Sequence, residues 1–433
     1  MSESKKPKVL VVSIACEPKG GSEGKVGWEA ILAISKFAEV HVLMSALWRK
    51  GWEEAESEGL VPEGVSAGFV GTDADWHPNR LIARGQSWLR YLEFLKLAKP
   101  YIKDYLEHHQ VDVLHQVTFA TWRVPTELWV FGKPVVWGPI GGAGEVPKAF
   151  RSSLSRAARI VEVVRSWQGK RTLRSKKFRS AMEQVEVVIA ASEEAKQLLE
   201  PYRKGKFLEV LPVAYLSGDK VAQIRRIRSN GDPDDRPGIT RTLNIFAGGS
   251  IDGRKGIAWA LRALVLVKEK GIDFHYTIAG GGPELESLKA LVVELGLSEQ
   301  VTFHPGYRGD QYVEMLQQTD IFLLPSFRET LGMTCQEAIL AGAYPVVADI
   351  SAHGEMARVA GVERAPVGSG EELKEGIAEL ILDFVNHPVE NRRFVDRASE
   401  AIEEFFSERR YRKSLETWYQ VAIEKATGAR SSS

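Results

Sequence analysis

Short apolar runs alternate with helical spacing along most of the chain, and this alternation is the strongest constraint on the fold. Residues 8–14 (KVLVVSI) lead through a glycine-rich loop into a segment in which Val26, Ala30, Ile34 and Phe37 recur every three or four positions. The run is typical of a buried strand, and the spacing is typical of a helix. Similar apolar runs follow at residues 40–44, 111–117, 134–138, 185–191 and 207–213. Their continuous hydrophobicity predicts parallel strands that are covered on both faces.

A polar stretch divides this pattern into two series. Residues 229–238 (SNGDPDDRPG) are rich in turn formers and contain no large apolar residue, so we interpret residues 216–240 as an exposed linker. A second series of apolar runs follows at residues 243–247, 274–279, 301–303, 321–324 and 345–348. Ligands of open parallel sheets bind beyond the carboxyl ends of the strands. Two α/β domains with a binding cleft between them are therefore expected.

Composition limits the classes of function. The 433 residues carry 57 Lys and Arg against 57 Asp and Glu, which argues against a general attraction to nucleic acid. The two cysteines, Cys16 and Cys335, lie in unrelated segments and favour a reducing, cytoplasmic setting. Residues 1–8 lack the apolar stretch of a signal peptide, and no uncharged apolar run is long enough to span a bilayer. Any membrane contact would thus be peripheral.

The most informative segment is residues 326–338 (SFRETLGMTCQEA), where two glutamates stand eight positions apart behind an apolar strand. Glu329 falls in the loop before a predicted helix and Glu337 within its first turns. Carboxylates accept hydrogen bonds from sugar and ribose hydroxyl groups, and the amides of a helix start face an anionic phosphate. The spacing alone is equally compatible with two solvated helix residues.

Three further loops give this pair its context: residues 247–256 (AGGSIDGRKG), 278–283 (IAGGGP) and 301–306 (VTFHPG). Together with residues 326–338, their order resembles the donor-site signature of the GT-B glycosyltransferases of family 4, a group of retaining enzymes. The resemblance extends over nearly the whole chain.

The resemblance implies an α/β fold of the GT-B type, with two Rossmann-like domains facing an interdomain cleft. It places an N-terminal acceptor-binding domain at residues 1–215 and, after the linker at 216–240, a donor-binding domain at residues 241–400. A C-terminal helix at residues 401–427 is expected to pack back on the N-terminal domain.

The resemblance also implies roles for residues of the donor domain. Glu329 would contact the donor-sugar hydroxyls, Glu337 would hold the ribose, and Lys255 would neutralise the diphosphate. The family usually has an arginine at the position of Ser250, and here it is missing. Arg254 either replaces that arginine or faces solvent. The other predicted donor-binding residues of this half are Gly281, Gly332 and Met333.

In the N-terminal half, two predicted contacts lie toward the donor. Gly20 and Gly21 form a loop that, by the resemblance, reaches the donor phosphates, although such glycines are common in turns between a strand and a helix. His115 matches the family histidine that points at the donor sugar and is a predicted catalytic residue with Lys255 and Glu329. A lone histidine in an apolar strand is, alternatively, a packed core residue.

The predicted acceptor-binding residues are Gly141, Gly142 and Trp122. The small-residue loop at 139–144 either lines the acceptor pocket or is a plain turn. Trp122 and Trp76 lie among polar residues, where an exposed ring would stack on a sugar. Core packing is the alternative for both rings.

The resulting expectation is a retaining transferase that moves a sugar from a nucleoside-diphosphate sugar to a glycan, a lipid-linked acceptor or a small molecule. No cofactor or metal is expected, because the D-x-D match at residues 73–75 lies in a loop rich in Trp, His and Pro. The alternatives are a catalytically weak nucleotide-sugar-binding partner subunit, an epimerase of nucleotide sugars and an NAD(P)-dependent oxidoreductase. The absence of a full G-x-G-x-x-G fingerprint argues against the oxidoreductase.

Residues 151–180 hold ten Lys and Arg but one acidic residue, Glu162. A stripe of apolar side chains recurs there at helical spacing: Leu154, Ala157, Val161, Val164 and Trp167. A basic face beside an apolar stripe predicts peripheral contact with an anionic membrane, at the inner face of the cell membrane, or with a lipid-diphosphate acceptor. The alternative is that the stripe packs on its own domain.

Overall fold

The computed structural model describes residues 6–19, 22–72, 80–229, 242–306, 310–330 and 332–431. Contacts within these ranges define two compact units. Unit 1 contains the described residues up to 143, from 169 to 215 and from 408 onward. Unit 2 contains residues 144–168 and the described residues from 216 to 407.

Unit 1 is built on a seven-stranded parallel sheet with the order β3-β2-β1-β4-β5-β6-β7. Its strands are Lys8–Ser13 (β1), Glu39–Ser45 (β2), Val65–Val70 (β3), Val113–Thr118 (β4), Val135–Ile140 (β5), Val187–Ala190 (β6) and Leu208–Val210 (β7). Strands β4, β5 and β6 are buried along their whole length, as their continuous apolar sequences predict.

The helices of unit 1 cover both faces of this sheet. They are Ser22–Ser35 (α1), Arg49–Ser57 (α2), Arg80–His108 (α3), Lys176–Gln184 (α5), Glu193–Arg203 (α6) and Glu408–Ser431 (α15). Helix α4, Arg156–Arg174, contains the boundary between the units, which falls after Gln168. Helix α15 contacts α1 and strands β4, β5 and β6, so the C-terminal residues complete the core of unit 1.

Unit 2 is built on a five-stranded parallel sheet with the order β10-β9-β8-β11-β12. Its strands are Leu243–Gly248 (β8), Phe274–Ala279 (β9), Val301–His304 (β10), Ile321–Leu323 (β11) and Tyr344–Val346 (β12). Its further helices are Gly218–Ser229 (α7), Ile257–Glu269 (α8), Leu285–Glu294 (α9), Asp310–Gln317 (α10), Met333–Ala341 (α11), Ser351–Val359 (α12), Gly370–Asn386 (α13) and Pro388–Phe405 (α14).

The predicted fold class is confirmed, since two α/β units each carry a parallel sheet. The sequence analysis missed β3. This strand forms one edge of its sheet, and most of its side chains are only half-buried, so its sequence (VSAGFV) lacks a strong apolar run.

Two of the predicted boundaries are wrong. Residues 218–229, assigned to an exposed linker, form helix α7, whose Val221 and Ile224 are buried in unit 2. Residues 144–168, assigned to the N-terminal domain, belong to unit 2. The sequence of α7 carries few apolar residues among many charges, and sequence order alone does not reveal which core a segment joins.

Glycines bring together the loops that follow β8 and β9. Gly280 has a φ of +139°, and a Cβ atom there would lie 1.8 Å from the carbonyl oxygen of Gly249. The neighbouring Gly281 faces open space, with no atom within 4 Å of an added Cβ. An added side-chain carbon would therefore overlap the neighbouring loop at Gly280 but not at Gly281, whose carbonyl oxygen accepts from the Ile251 amide at 3.0 Å.

Gly280→Ala should destabilise unit 2 by about 2–4 kcal/mol, because the new methyl group overlaps a carbonyl oxygen in a backbone conformation that favours glycine. The matched variant Gly281→Ala should change the free energy of unfolding by less than about 0.5 kcal/mol. Urea denaturation of both variants tests this. Equal stabilities would show that the two loops do not touch as described.

Candidate functional site

The candidate site lies in unit 2, in the loops after β8 and β11. Lys255 ends a short 3₁₀ turn at Gly253–Lys255, and Glu329 follows β11. Between them, Gly256 has a φ of +69°, and a Cβ atom there would lie 2.3 Å from the carbonyl oxygen of Pro325. Glycine at this position lets the two loops meet.

Lys255 and Glu329 form an ion pair in which both side chains are largely buried, with 7% and 15% exposure. Burial alone would raise the pKa of Glu329, but Lys255, with further help from Arg254, holds that pKa below its ordinary value. The carboxylate is therefore ionised near neutral pH. The pair presents an ammonium group and two acceptor oxygens at one point of the surface.

Arg254 lies against the same carboxylate. Its Nη1 atom is 3.6 Å from Glu329 Oε2 and donates to the carbonyl oxygen of Arg328 at 3.0 Å. Its Nε atom lies 3.1 Å from Asp252 Oδ1, and the Ser250 hydroxyl donates to the other oxygen of Asp252 at 2.9 Å. The structure thus brings Arg254 and Ser250 into the site, with Asp252 between them.

Helix α11 begins beside this cluster. Gly332, with a φ of +58°, is the N-cap residue and precedes Met333, and as a glycine it offers the first amides of the helix no capping side chain. A Cβ atom at Gly332 would lie 2.6 Å from the imidazole ring of His353, which is fully buried. Burial lowers the pKa of His353 to about 4, so this ring is neutral and adds no charge beside the helix start. The uncapped amides are a favourable place for an anion.

Glu337, on α11, is held by two residues that the sequence analysis did not identify. Lys220 Nζ lies 3.2 Å from Glu337 Oε1, and the hydroxyl of Tyr312 donates to the other carboxylate oxygen. Lys220 also lies over the ring of Tyr312, 5.9 Å from its centroid. Lys220 was missed because α7 was assigned to a linker. A basic residue in a predicted linker gives no signal of its partner.

His115, in unit 1, is fully buried with both ring nitrogens engaged. Its Nδ1 atom accepts from the Tyr419 hydroxyl at 2.6 Å, and its Nε2 atom donates to the carbonyl oxygen of Gly138 at 2.7 Å. Burial lowers the pKa of His115 to about 4. In this structure His115 is a core residue, and its direct contact with a donor sugar stays a prediction that requires a rearrangement.

Trp122 is buried and not an exposed platform for a sugar, so that prediction is wrong. The Arg123 guanidinium covers its ring at 4.5 Å, and Phe178 packs against it edge-on at 6.2 Å. Gly141 is also buried, and the carbonyl oxygen of Gly142 accepts from Arg123 Nη1 at 2.5 Å. Arg123, a polar neighbour of Trp122 in sequence, is thus one of the groups that cover its ring.

Several predicted positions lie outside the described residues. They are Gly20, Gly21, Trp76 and residues 73–75. Among the described residues, no group of three or more His, Cys, Asp and Glu is arranged to hold a metal ion. Also within the described ranges, no helix is long and apolar enough to cross a membrane.

Comparison with known families identifies the unit that carries this site. The family model of glycosyl transferases group 1 matches residues 239–416, which include every donor-site residue described above except Lys220. This region is therefore similar to the glycosyl transferases group 1. The recognition made from the loop motifs is thereby confirmed.

Curated relatives agree with this assignment over shorter stretches. A 2-deoxystreptamine glucosyltransferase of Streptomyces kanamyceticus is 34% identical over 100 residues, which cover 23% of this chain and 26% of the relative. A putative colanic acid biosynthesis glycosyltransferase, WcaL, of Escherichia coli is 27% identical over 187 residues, or 41% of this chain and 45% of the relative. The chain thus spans between a quarter and a half of these relatives.

Solved structures match almost the whole chain and show its fold to be GT-B. A sucrose-phosphate synthase from Thermosynechococcus elongatus aligns over 96% of this chain and 98% of its own, with a TM-score of 0.55 and 13% identity. WaaG, a glycosyltransferase involved in lipopolysaccharide biosynthesis, aligns over 97% and 100%, with a TM-score of 0.53 and 16% identity. HepE of Anabaena, solved in complex with UDP-glucose, aligns over 98% and 100%, with a TM-score of 0.51 and 14% identity.

The buried, neutral state of His115 predicts a pH-dependent difference between the wild-type protein and His115→Gln. The folded-state pKa lies below the unfolded value, so the stability that His115 contributes is present above about pH 6.5 and is lost as the pH falls toward 4. The wild type should therefore lose on the order of 3 kcal/mol more than the variant between pH 6.5 and pH 4.

Urea denaturation at several pH values measures this difference. Glu23 and Glu29, whose pKa values burial raises to about 7, are present in both proteins and cancel in the comparison. A stability gap that does not change with pH would contradict the buried, neutral assignment of His115.

Proposed function

We propose that this protein is a glycosyltransferase that uses a nucleoside-diphosphate sugar as donor. The observation that carries the proposal is the Lys255–Glu329 pair beside the uncapped start of α11. Breaking the anomeric bond leaves extra negative charge on the diphosphate. The ammonium group of Lys255 and the amides at the helix start would stabilise that charge. Glu329 would accept hydrogen bonds from donor-sugar hydroxyls once Lys255 turns toward the phosphates.

The nucleoside would lie near Glu337, with Gly281 and Met333 along the donor. A carboxylate accepts well from two adjacent ribose hydroxyls, which supports this role for Glu337. Binding of a ribose there requires Lys220 or Tyr312 to release one oxygen of Glu337. Because HepE was solved in complex with UDP-glucose, a uridine-diphosphate sugar is the first donor to test.

We propose transfer with retention of the anomeric configuration and without a metal ion. Retention without an enzyme nucleophile corresponds to attack by the acceptor hydroxyl on the face that the diphosphate leaves, with the leaving phosphate as base. Lys255, with Arg254, would provide the positive charge that a metal otherwise supplies. NMR of the anomeric proton of the product tests retention. Transfer that EDTA abolishes and Mg²⁺ or Mn²⁺ restores would contradict independence from metal.

For the acceptor we propose a glycan, a lipid-linked glycan or a small molecule bound by unit 1. The names of WcaL and WaaG, which refer to colanic acid and lipopolysaccharide biosynthesis, support a role in polysaccharide biosynthesis. The relatives give no support to an oxidoreductase or to a non-catalytic partner subunit. We propose a cytoplasmic location, which the two buried free cysteines support.

We also propose peripheral contact with an anionic membrane through helix α4. Five apolar side chains of this helix are about half exposed or more: Ile160, Val161, Val163, Val164 and Trp167. The only acidic residue between 151 and 180, Glu162, is buried, so the charges that this segment presents to solvent are basic. The exposed apolar side chains suit the hydrocarbon of a bilayer, and the basic residues around them suit its anionic headgroups.

Glu329→Ala and Lys255→Ala should each reduce transfer about 10²- to 10³-fold, since each removes a charged contact that strengthens in the transition state. The exposed pair Lys289 and Glu286 on α9 provides matched controls, and Lys289→Ala and Glu286→Ala should retain wild-type turnover. The assay measures nucleoside-diphosphate release from UDP-glucose, GDP-mannose and ADP-glucose. Near-wild-type turnover in both site variants would disprove the site.

For the membrane contact, liposome co-sedimentation at low and high salt is the measurement. The protein should sediment with anionic vesicles at low salt and not with neutral ones. Val164→Asp and Trp167→Glu should abolish this binding, whereas Val293→Asp, at an equally exposed apolar site on α9, should not. If the protein stays in the supernatant with anionic vesicles at low salt, the proposal is refuted. If the wild type forms concentration-dependent dimers and Val164→Asp does not, the apolar face of α4 binds a second copy of the chain instead.

A further inference from the structure

The segment that the sequence analysis assigned to the other domain, residues 144–168, packs directly on the loops of the candidate donor site. Phe150 is fully buried and stacks on Phe327, with ring centroids 4.4 Å apart. Its ring also meets Trp259 of α8 edge-on at 5.6 Å. Phe327 lies two positions before Glu329, so this stack fixes one end of the loop that carries the catalytic carboxylate.

The same segment reaches the loop after β8. Leu154 is buried against Gly253, where an added Cβ atom would lie 2.5 Å from the Leu154 side chain. The backbone amide of Ser155 lies near the carboxylate of Glu284, in the loop after β9, and opposes the rise in the pKa of Glu284 that burial causes. Residues 150–155 thus contact the loops that follow three neighbouring strands of the unit 2 sheet.

The strongest of these contacts is an ion pair between Glu162 on α4 and Arg328. Glu162 is 3% exposed and Arg328 is largely buried. The second oxygen of Glu162 accepts from the amide of Val146 at 3.5 Å. Arg328 is the residue immediately before Glu329, and its carbonyl oxygen accepts from Arg254. A charge pair that is out of solvent holds its partners in one geometry, because separation leaves a buried charge uncompensated.

The charges around Glu329 show why this geometry matters. Three cations take part in these ion pairs. Lys255 and Arg254 both lie within ion-pair distance of Glu329, Arg254 also pairs with Asp252, and Arg328 pairs with Glu162. Without Glu162, Arg328 would lose the carboxylate that compensates its largely buried charge. A loop that moves to expose that charge would carry the adjacent Glu329 with it and disturb the pair with Lys255.

We propose that Glu162 is a positioning residue of the donor site, which holds Arg328 and thereby fixes the loop at residues 327–329. This inference rests on the proposed donor-binding function of Glu329. It makes residues 144–168 an integral part of the donor-binding unit. Glu162 does not touch the substrate and acts through Arg328.

The test compares Glu162→Gln with the matched variant Glu145→Gln, whose carboxylate pairs with Arg151 at the exposed end of the same segment. Hydrogen exchange of peptides covering residues 321–341 should be faster in Glu162→Gln and unchanged in Glu145→Gln. With the sugar nucleotide that the wild type turns over, kcat/KM should fall about tenfold or more in Glu162→Gln alone. Glu162→Asp should restore part of this loss, because it keeps the charge.

A second variant guards against misfolding of Glu162→Gln. The double variant Glu162→Gln with Arg328→Met leaves no buried charge unpaired, and it should fold while keeping the faster exchange of the loop. If Glu162→Gln equals Glu145→Gln in both exchange and kcat/KM, the positioning role is refuted. If the wild type turns over none of UDP-glucose, GDP-mannose and ADP-glucose, the proposed function fails, while the exchange measurement still tests whether Glu162 fixes the loop.

Discussion

The buried ion pair between Lys255 and Glu329 requires that the loops after β8 and β11 meet in one fixed arrangement. Two charges can stay this far from solvent only if their geometry is fixed on both sides. Gly256 allows the two loops to approach, and the parallel strands β8 and β11 deliver both loops to the same edge of the sheet. Arg254 adds a second, longer ion-pair contact to Glu329 while it also pairs with Asp252, and Glu162 engages Arg328.

The predictable part of the structure is the part encoded locally. Apolar runs predict eleven of the twelve strands in the described ranges, because each of these strands carries its own apolar sequence, whereas the edge strand β3 and the charged helix α7 leave weak local signals. Similarly, Lys255, Glu329, Gly332 and Glu337 were identified from loop motifs. The structure brings the first three of these together within one small region of unit 2.

Contacts between distant segments were not predictable in this way. Glu162 and Arg328 are 166 positions apart, and neither residue belongs to a motif that names the other. Lys220 reaches Glu337 from a helix that the sequence placed in a linker. For Trp122, polar neighbours suggested exposure, but the structure uses Arg123 to cover the ring. Only three-dimensional packing decides such cases.

The most direct test of the donor-site account is a thermal-shift titration with UDP, GDP, ADP and TDP on the wild type and on Lys255→Ala. A ligand that binds only the folded state raises the melting temperature with its concentration. The account predicts that at least one of these diphosphates stabilises the wild type and that Lys255→Ala loses most of this shift. An equal shift in both proteins, or no shift with any of the four, would contradict it.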